Sequence, residues 1–402
     1  FSPSRFARIP VYNFLTQVHP IHGREGSFMP IVLSHLNVLL PDQVLPDTTV
    51  ILADQRIQYI GPESEAPAID GVVYDLPGLY LAPGFFDVHV HGGVGVQFGG
   101  TDDSAGELAL YSEWVVSTGA CAYLCSIASP STDELIAQVT SFASAFEREY
   151  DGALPLGMHL EGPYLNPERK GAFNPAWLRQ PDLDEVAALI EAGRGWIHQV
   201  TLAPELPGAA QVAKLYSEAG IVVALGHSNT DYATASAALQ GDYRHVTHTF
   251  NAQRGFHHRE PGVLGAVLAS DHVTAELVAD NVHVHPGAMR VLLRCLGTDR
   301  VVLVTDAMAA AGLPDGEYDL LGNIVTVKDG RATLPDGTIA SSTAGMHDCV
   351  GNINQLPDIP LYAAAQMASA VPARAMGVFD RIGSLGVGQP ANLVVFDDQV
   401  DI

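Results

Sequence analysis

Residues 223–252 read VALGHSNTDYATASAALQGDYRHVTHTFNA. Two short apolar runs each end in a histidine, His227 after VVALG and His248 after HVT. The segment between them, TDYATASAALQG, has helical composition. Strand, helix and strand in succession make the repeating unit of a parallel sheet. When such units close into a barrel, a histidine at the C-terminal end of a strand faces the mouth, where barrel chemistry sits. Imidazole is the commonest metal ligand among side chains. An isolated pair is read equally well as two polar residues at strand ends, so the rest of the chain decides.

Outward from this stretch the same pattern repeats. Eight apolar runs read as strands: LAPGFFDVHV (81–90), ACAYLCSI (120–127), PLGMHLEG (155–162), IHQVTLAP (197–204), IVVALGH (221–227), HVTHTF (245–250), TAELVAD (274–280) and VVLVTDA (301–307). Segments of helical pattern lie between them, some with start signals. Ser131 and Glu134 have capping-box spacing, and Pro286 stands where a first-turn proline is tolerated. Eight strands alternating with helices predict a (β/α)8 TIM-type barrel over 82–377. A doubly wound open sheet is the alternative, but no GxGxxG loop follows the first strand. Residues 361–377 read as a closing helix. Asp329-Gly330 and Asp336-Gly337 mark hairpin turns in a β excursion near 317–340.

Residues 29–81 alternate as half-buried antiparallel strands, and 383–398 have the same character. These two pieces, 29–81 and 378–402, predict a small β-sandwich domain built from both terminal segments. Residues 1–28 lack periodicity and a signal-peptide pattern. They read as an N-terminal extension or a cloning remnant ahead of Met29.

A chain of 402 residues accommodates a barrel of roughly 250 residues and a smaller companion. It is 47% hydrophobic and 16% charged, which suits a globular enzyme. The net charge of −25 argues against nucleic acid or an anionic membrane as partner. A small anionic substrate stays open, since a few arginines can hold one phosphate. The four cysteines, Cys121, Cys125, Cys295 and Cys349, make no CxxC pair, which points to a reducing cytoplasm. No apolar run reaches the roughly 18 residues that span a membrane.

Polar residues collect where the predicted strands end. Strand one ends in Asp87, His89 and His91; strand three in His159 and Glu161; strands five and six in His227 and His248. Strand seven ends in Asp280 and His283, and strand eight in Asp306. His89 and His91 are two apart, so both point to one face of a strand. Each such group, if buried alone, would need its own partner, and a shared metal site satisfies them together. Nitrogen and carboxylate ligands without cysteine suit Zn²⁺, and also Fe²⁺, Mn²⁺ or Co²⁺. Such an ion lowers the pKa of its water towards ~7. Asp306 is placed to take that water's proton and return it to the leaving group. None of Lys170, Lys214 and Lys328 ends a strand, which argues against a bridging carbamylated lysine.

The motifs PGFFDVHVHG, HLEGPYLNPERKGAFNP, LGHSNTDY, THTFNAQRGFHHREPG, VADNVHVHP and LVTDAMAAAG run in order along the chain. With them the sequence resembles the N-acetylglucosamine-6-phosphate deacetylases of the amidohydrolase superfamily. The resemblance implies Glu161, His227 and His248 as ligands of the principal metal and Asp306 as catalytic acid/base. It implies substrate contacts at Asn251, Ala252, Arg259 and His283, and a substrate lining that includes Ala172, Ala340 and Ser341. Arg259 would meet the sugar phosphate, from its own chain or across the interface of a homodimer; guanidinium pairs well with phosphate. Some relatives lack a pair equivalent to His89 and His91 and use one metal, while others keep it and hold two. Its presence implies capacity for a second ion, with Glu161 bridging. Two residues depart from the pattern. Phe173 stands where many relatives carry a polar side chain, so the metal or His283 must stabilise the oxyanion. Ser341 replaces an expected glycine.

The sequence therefore predicts hydrolysis of the acetyl group of N-acetylglucosamine 6-phosphate, giving acetate and glucosamine 6-phosphate. One rival is the same chemistry on N-acetylgalactosamine 6-phosphate or another N-acyl compound. Another is an inactive barrel that serves as a binding or scaffold protein. Retention of Glu161, His227, His248 and Asp306 together speaks against the second.

Overall fold

The structure, a computed structural model, describes residues 29–402; the segment 1–28 lies outside the described residues. The alternating start of this range forms β1 (Ile31–Leu39), β2 (Val44–Ala53), β3 (Arg56–Gly61), β4 (Val72–Asp75) and β5 (Tyr80–Pro83). A strand from the far end, Leu393–Phe396, pairs with β5 and completes a six-stranded sheet. Leu33, Leu36, Val38, Val50, Leu52, Ile57 and Val395 bury its apolar face. The expected antiparallel sandwich is instead one mixed sheet. β2 is antiparallel to β1 and β3, but β4 and β5 both run parallel to β1. Within β1, pairing with β2 shifts register around His35, whose φ is 60°. The first half of β1 then pairs with β4 and the second with β5.

The barrel begins with β6 (Phe85–Val90), followed by a two-residue ladder of β7 (Gly92–Gly93) and β8 (Val96–Gln97). Its other strands are β9 (Ala120–Ile127), β10 (Leu154–Glu161), β11 (Ile197–Leu202), β12 (Val222–Leu225), β13 (Tyr243–Val246), β14 (Thr274–Val278) and β15 (Val301–Val304). Each pairs in parallel with the next, in chain order. The ring closes just past the strand ends, where Asp306 N–H donates to His89 O (2.9 Å) and His91 N–H to Ala307 O (2.8 Å). Strands covered on both faces need near-continuous apolar sequence, and VVLV of β15 is wholly buried.

The helices start where the sequence signals them. Ser131 Oγ accepts from Glu134 N at the head of Thr132–Ala145, and Pro286 opens Pro286–Leu296. That helix buries Met289, Leu292, Leu293 and Leu296, one stripe at helical spacing.

Three elements differ from expectation. The run 81–90 is two strands, β5 and β6, broken at Gly84. Gly84 N–H is held by Asn392 O (2.9 Å), and a Cβ there would lie 2.4 Å from Cys121 Sγ. The closing helix is two, Leu361–Met367 and Ala370–Ala375. Pro372 stands in the first turn of the second helix; it lacks an N–H and its ring would strike the carbonyl of Ala368, so the first helix cannot continue into it. A further helix, Met346–Asn354, went unread, although Met346, Cys349, Val350 and Ile353 bury one stripe.

The excursion is a three-stranded antiparallel sheet, β16 (Gly316–Leu320), β17 (Asn323–Lys328) and β18 (Arg331–Thr333). Asp329-Gly330, with φ of 52° and 70°, makes the turn between the last two. Its buried residues Leu320, Leu321, Val325 and Val327 pack on Leu165, Phe173 and Met308, which seats the sheet beside the barrel mouth.

Candidate active site

The strand ends bring together the polar residues that the sequence scatters over more than two hundred positions. Glu161 ends β10 and is buried. Its Oε1 lies 3.0 Å from His227 Nε2 and 3.1 Å from His248 Nε2, and its Oε2 lies 3.1 Å from His91 Nε2. The two histidine Nε2 atoms are 3.0 Å apart. Asp306 Oδ1 is 3.4 Å from His91 Nε2 and 3.6 Å from His89 Nε2. Two buried triads result, Glu161–His227–His248 and His89–His91–Asp306, each with its ligand atoms within 4.8 Å of one another.

The hydrogen bonds around the triads test whether a cation fits. His227 Nδ1 donates to Arg169 O (2.8 Å), which leaves the Nε2 lone pair facing Glu161 and His248. His89 Nδ1 is 2.9 Å from Glu276 Oε2, so its Nε2 is likewise unprotonated in the neutral ring. That Nε2 is buried and has no hydrogen-bond partner among the described residues. Lone pairs converging in a buried space repel one another, and a divalent cation satisfies them together. The donor set of nitrogen and carboxylate oxygen suits such an ion. Burial disfavours charge on His91, but its contacts with Asp306 and Glu161 outweigh this and raise its pKa to about 9. Burial also opposes ionisation of Asp306, yet with no cation bound Glu276, Glu161 and Asp306 hold His89 protonated despite its own burial, and that charge with the bond to His91 brings Asp306 to about 2. Protons and cations therefore compete for the same atoms.

Backbone conformation marks the same place. His227, His248, Ala252, Asp306 and Ser341 all have left-handed φ, between 25° and 63°. Such conformations are uncommon for these residue types and gather at functional sites. No sequence pattern announced them.

Above the triads opens a cleft of about 500 Å³. Ala172, Asn251, Ala252, His283 and Ser341 line it. Ala340 does not; it is fully buried in the cluster that also holds Phe173 and Met308. Arg259 also lies outside. It is exposed in the loop after His248, where its Nη1 contacts His258 Nε2 at 2.9 Å. Two cations that the sequence reading passed over, Arg169 and Lys170, do line the cleft. His283 Nδ1 is 2.7 Å from Asp280 Oδ2. Burial pushes the His283 pKa down, but the Asp280 carboxylate outweighs it and holds the imidazolium above its ordinary range. Phe173 sets its ring edge-on to His227, with centroids 5.3 Å apart. Ser341 Oγ donates to Asp306 O (2.6 Å) and lies 3.3 Å from Asp306 Oδ1.

Some supporting residues were missed, and one strand-end histidine has a different place. His159 is turned into the barrel, between Ser126 Oγ (2.9 Å) and Thr201 Oγ1 (2.7 Å), and belongs to neither triad. Glu205 accepts from Ser228 Oγ, Asn229 N and Asn166 Nδ2, each at 2.7 Å, and so fixes the loop that follows His227. Glu276, buried in β14, accepts from partners on several strands. The one legible sign of it was a glutamate in the middle of an apolar strand, TAELV.

Residues 80–402 match the model of the amidohydrolase family. The N-acetylglucosamine-6-phosphate deacetylase of Bacillus subtilis is 31% identical over 92% of this chain and 94% of that protein. The N-acetylgalactosamine-6-phosphate deacetylase of Escherichia coli O157:H7 is 34% identical over 93% and 97%. Among solved structures, a variant of the Mycobacterium smegmatis N-acetyl-D-glucosamine-6-phosphate deacetylase, in complex with N-acetyl-D-glucosamine-6-phosphate, superposes with a TM-score of 0.85. It is 33% identical, with 93% of this chain and 96% of that chain covered.

Proposed function

The chain belongs to the amidohydrolase family, and from that premise we propose that it hydrolyses the acetamide of N-acetylglucosamine 6-phosphate to acetate and glucosamine 6-phosphate. The observation that carries the reading is the pair of buried triads, with their imidazole nitrogens and carboxylate oxygens converging at the floor of the cleft. The relatives named above that act on such sugars support the substrate class.

A divalent ion, Zn²⁺ before Fe²⁺, Mn²⁺ or Co²⁺, supplies Lewis acidity and an acidified water when bound. Glu161, His227 and His248 would hold the principal ion, and His89 and His91 a second, with Glu161 shared. Asp306, ionised and itself a member of the second triad, removes a proton from the attacking water. It returns that proton to the amide nitrogen as the C–N bond breaks, so the amine leaves neutral together with acetic acid, whose remaining proton passes to the amine or to solvent to give acetate. His283, whose pKa the Asp280 carboxylate raises, donates a hydrogen bond into the cleft where negative charge develops on the acyl oxygen. Phe173 has no donor to contribute there and instead packs the ring of His227. Asn251, Ala252, Ala172 and Ser341 form the walls against which the sugar is oriented.

The phosphate meets Arg259 of a second copy, in a homodimer. In its own chain this arginine is exposed outside the cleft, beside Phe256, which is 57% exposed. The four free thiols accord with a reducing cytoplasm. The Escherichia coli relative favours a second reading, the galactosamine epimer. Acetate release from both 6-phosphates and from the unphosphorylated sugars decides between them. The account expects the glucosamine-type phosphate to have the highest kcat/KM. Equal turnover of the unphosphorylated sugar contradicts the phosphate role.

A further inference from the structure

The carboxylate of Glu276 touches nothing in the cleft, and no step above uses it. It is wholly buried in β14. Its Oε2 accepts from His89 Nδ1 and from the main-chain N–H of His248, both at 2.9 Å. Its Oε1 accepts from Gln199 Nε2 (2.7 Å) and lies 3.1 Å from His245 Nε2. His245 Nδ1 is in turn 2.6 Å from Thr274 Oγ1, whose hydroxyl can donate to it and leave the Nε2 proton for Glu276. Four donors on two oxygens fill what an ionised carboxylate can accept. The four come from β6, β11, β13 and the turn after β13, so one side chain gathers half of the barrel.

Two of these partners belong to the triads. A neutral imidazole has one N–H, and giving it to Glu276 obliges His89 to present Nε2 as a lone pair. That is the buried, unpartnered atom that lies 3.6 Å from both Glu161 Oε1 and Asp306 Oδ1. The other partner is the backbone of His248, at a residue whose φ is 25°. The same oxygen thus fixes a ring in one triad and the main chain of a ligand in the other.

We propose that Glu276 is a positioning residue that holds His89 as its Nδ1–H tautomer and thereby completes the second cation site, at His89 and His91 with Glu161 shared. The proposal rests on the metal-dependent reading of the site. Carboxylates behind ligating histidines orient the ring and raise its basicity, and losing one costs about 10–100-fold in metal affinity. Glu276→Gln keeps the shape but turns an N–H₂ towards groups that are themselves donors.

The test uses zinc-loaded protein with ¹⁵N-labelled histidine, His89 being assigned by the signal lost in His89→Ala. In the unmutated protein the His89 proton should sit on Nδ1, with Nε2 coordinated. Titration of metal-free protein with Zn²⁺ against a chromophoric chelator then gives the binding steps. The step that His89→Ala abolishes should weaken about 10–100-fold in Glu276→Gln, and the double variant should be no worse than His89→Ala. A proton on His89 Nε2, an unchanged zinc affinity in Glu276→Gln, or no zinc step lost in His89→Ala would each overturn the proposal. If Glu276→Gln does not fold, the spectrum of the unmutated protein still decides. None of these readouts uses acetate release, so a failure of the deacetylase reading is seen separately.

Discussion

Asp306 sits where the barrel closes, its N–H bonded to His89 O and its carboxylate beside His89, His91 and Ser341. The proton-carrier role proposed for it makes a sharp prediction. Asp306→Asn keeps the shape and cannot take a proton, so kcat should fall roughly 10²–10⁴-fold. Unchanged kcat would move the role elsewhere, with His283 next in line. His283 makes a second prediction through pH. Its pKa is raised because the Asp280 carboxylate outweighs burial. Removing that charge in Asp280→Asn lowers the pKa, so the protonated form is lost at lower pH. The alkaline limb of kcat/KM should then shift towards acid, and a limb that stays in place contradicts donation by His283. The ligands at this scale were legible because strand-end histidines and carboxylates are rare in apolar runs. Glu205 and Glu276 were not, since their partners lie on other strands and loops and only folding brings them together.

At the scale of elements, apolar runs and turn residues were enough to mark the eight strands, the excursion with its Asp-Gly turns, and most helices. What failed was punctuation. The run LAPGFFDVHV is apolar on both sides of Gly84, and the break depends on Asn392 and Cys121. Pro372 was a visible breaker, and the stripe Met346, Cys349, Val350, Ile353 a visible helix. The Gly84 passage is where the terminal sheet hands over to the barrel. A methyl group there meets Cys121 Sγ, so Gly84→Ala should destabilise by about 1–3 kcal/mol, the range for overpacked cores. Urea unfolding measures it, and an unaltered midpoint would mean that the crossing is looser than drawn.

For the molecule as a whole, the order of motifs on a parallel barrel foretold which strand ends would converge. It left open whether Arg259 would meet the phosphate in its own chain or from a second copy, because the course of an exposed loop is set by what packs on it. Arg259→Ala should raise KM for the sugar 6-phosphate strongly, a charge-assisted bond being worth ~1.5–3 kcal/mol, and hardly change it for the unphosphorylated sugar. Equal losses on both substrates would remove the phosphate role. The central claim is that buried Glu161, His227 and His248 hold the cation on which hydrolysis depends. Its most direct measurement is elemental analysis of purified His227→Ala beside acetate release at saturating substrate. The account predicts loss of the principal ion and of activity together; full metal content with full activity in His227→Ala would contradict it.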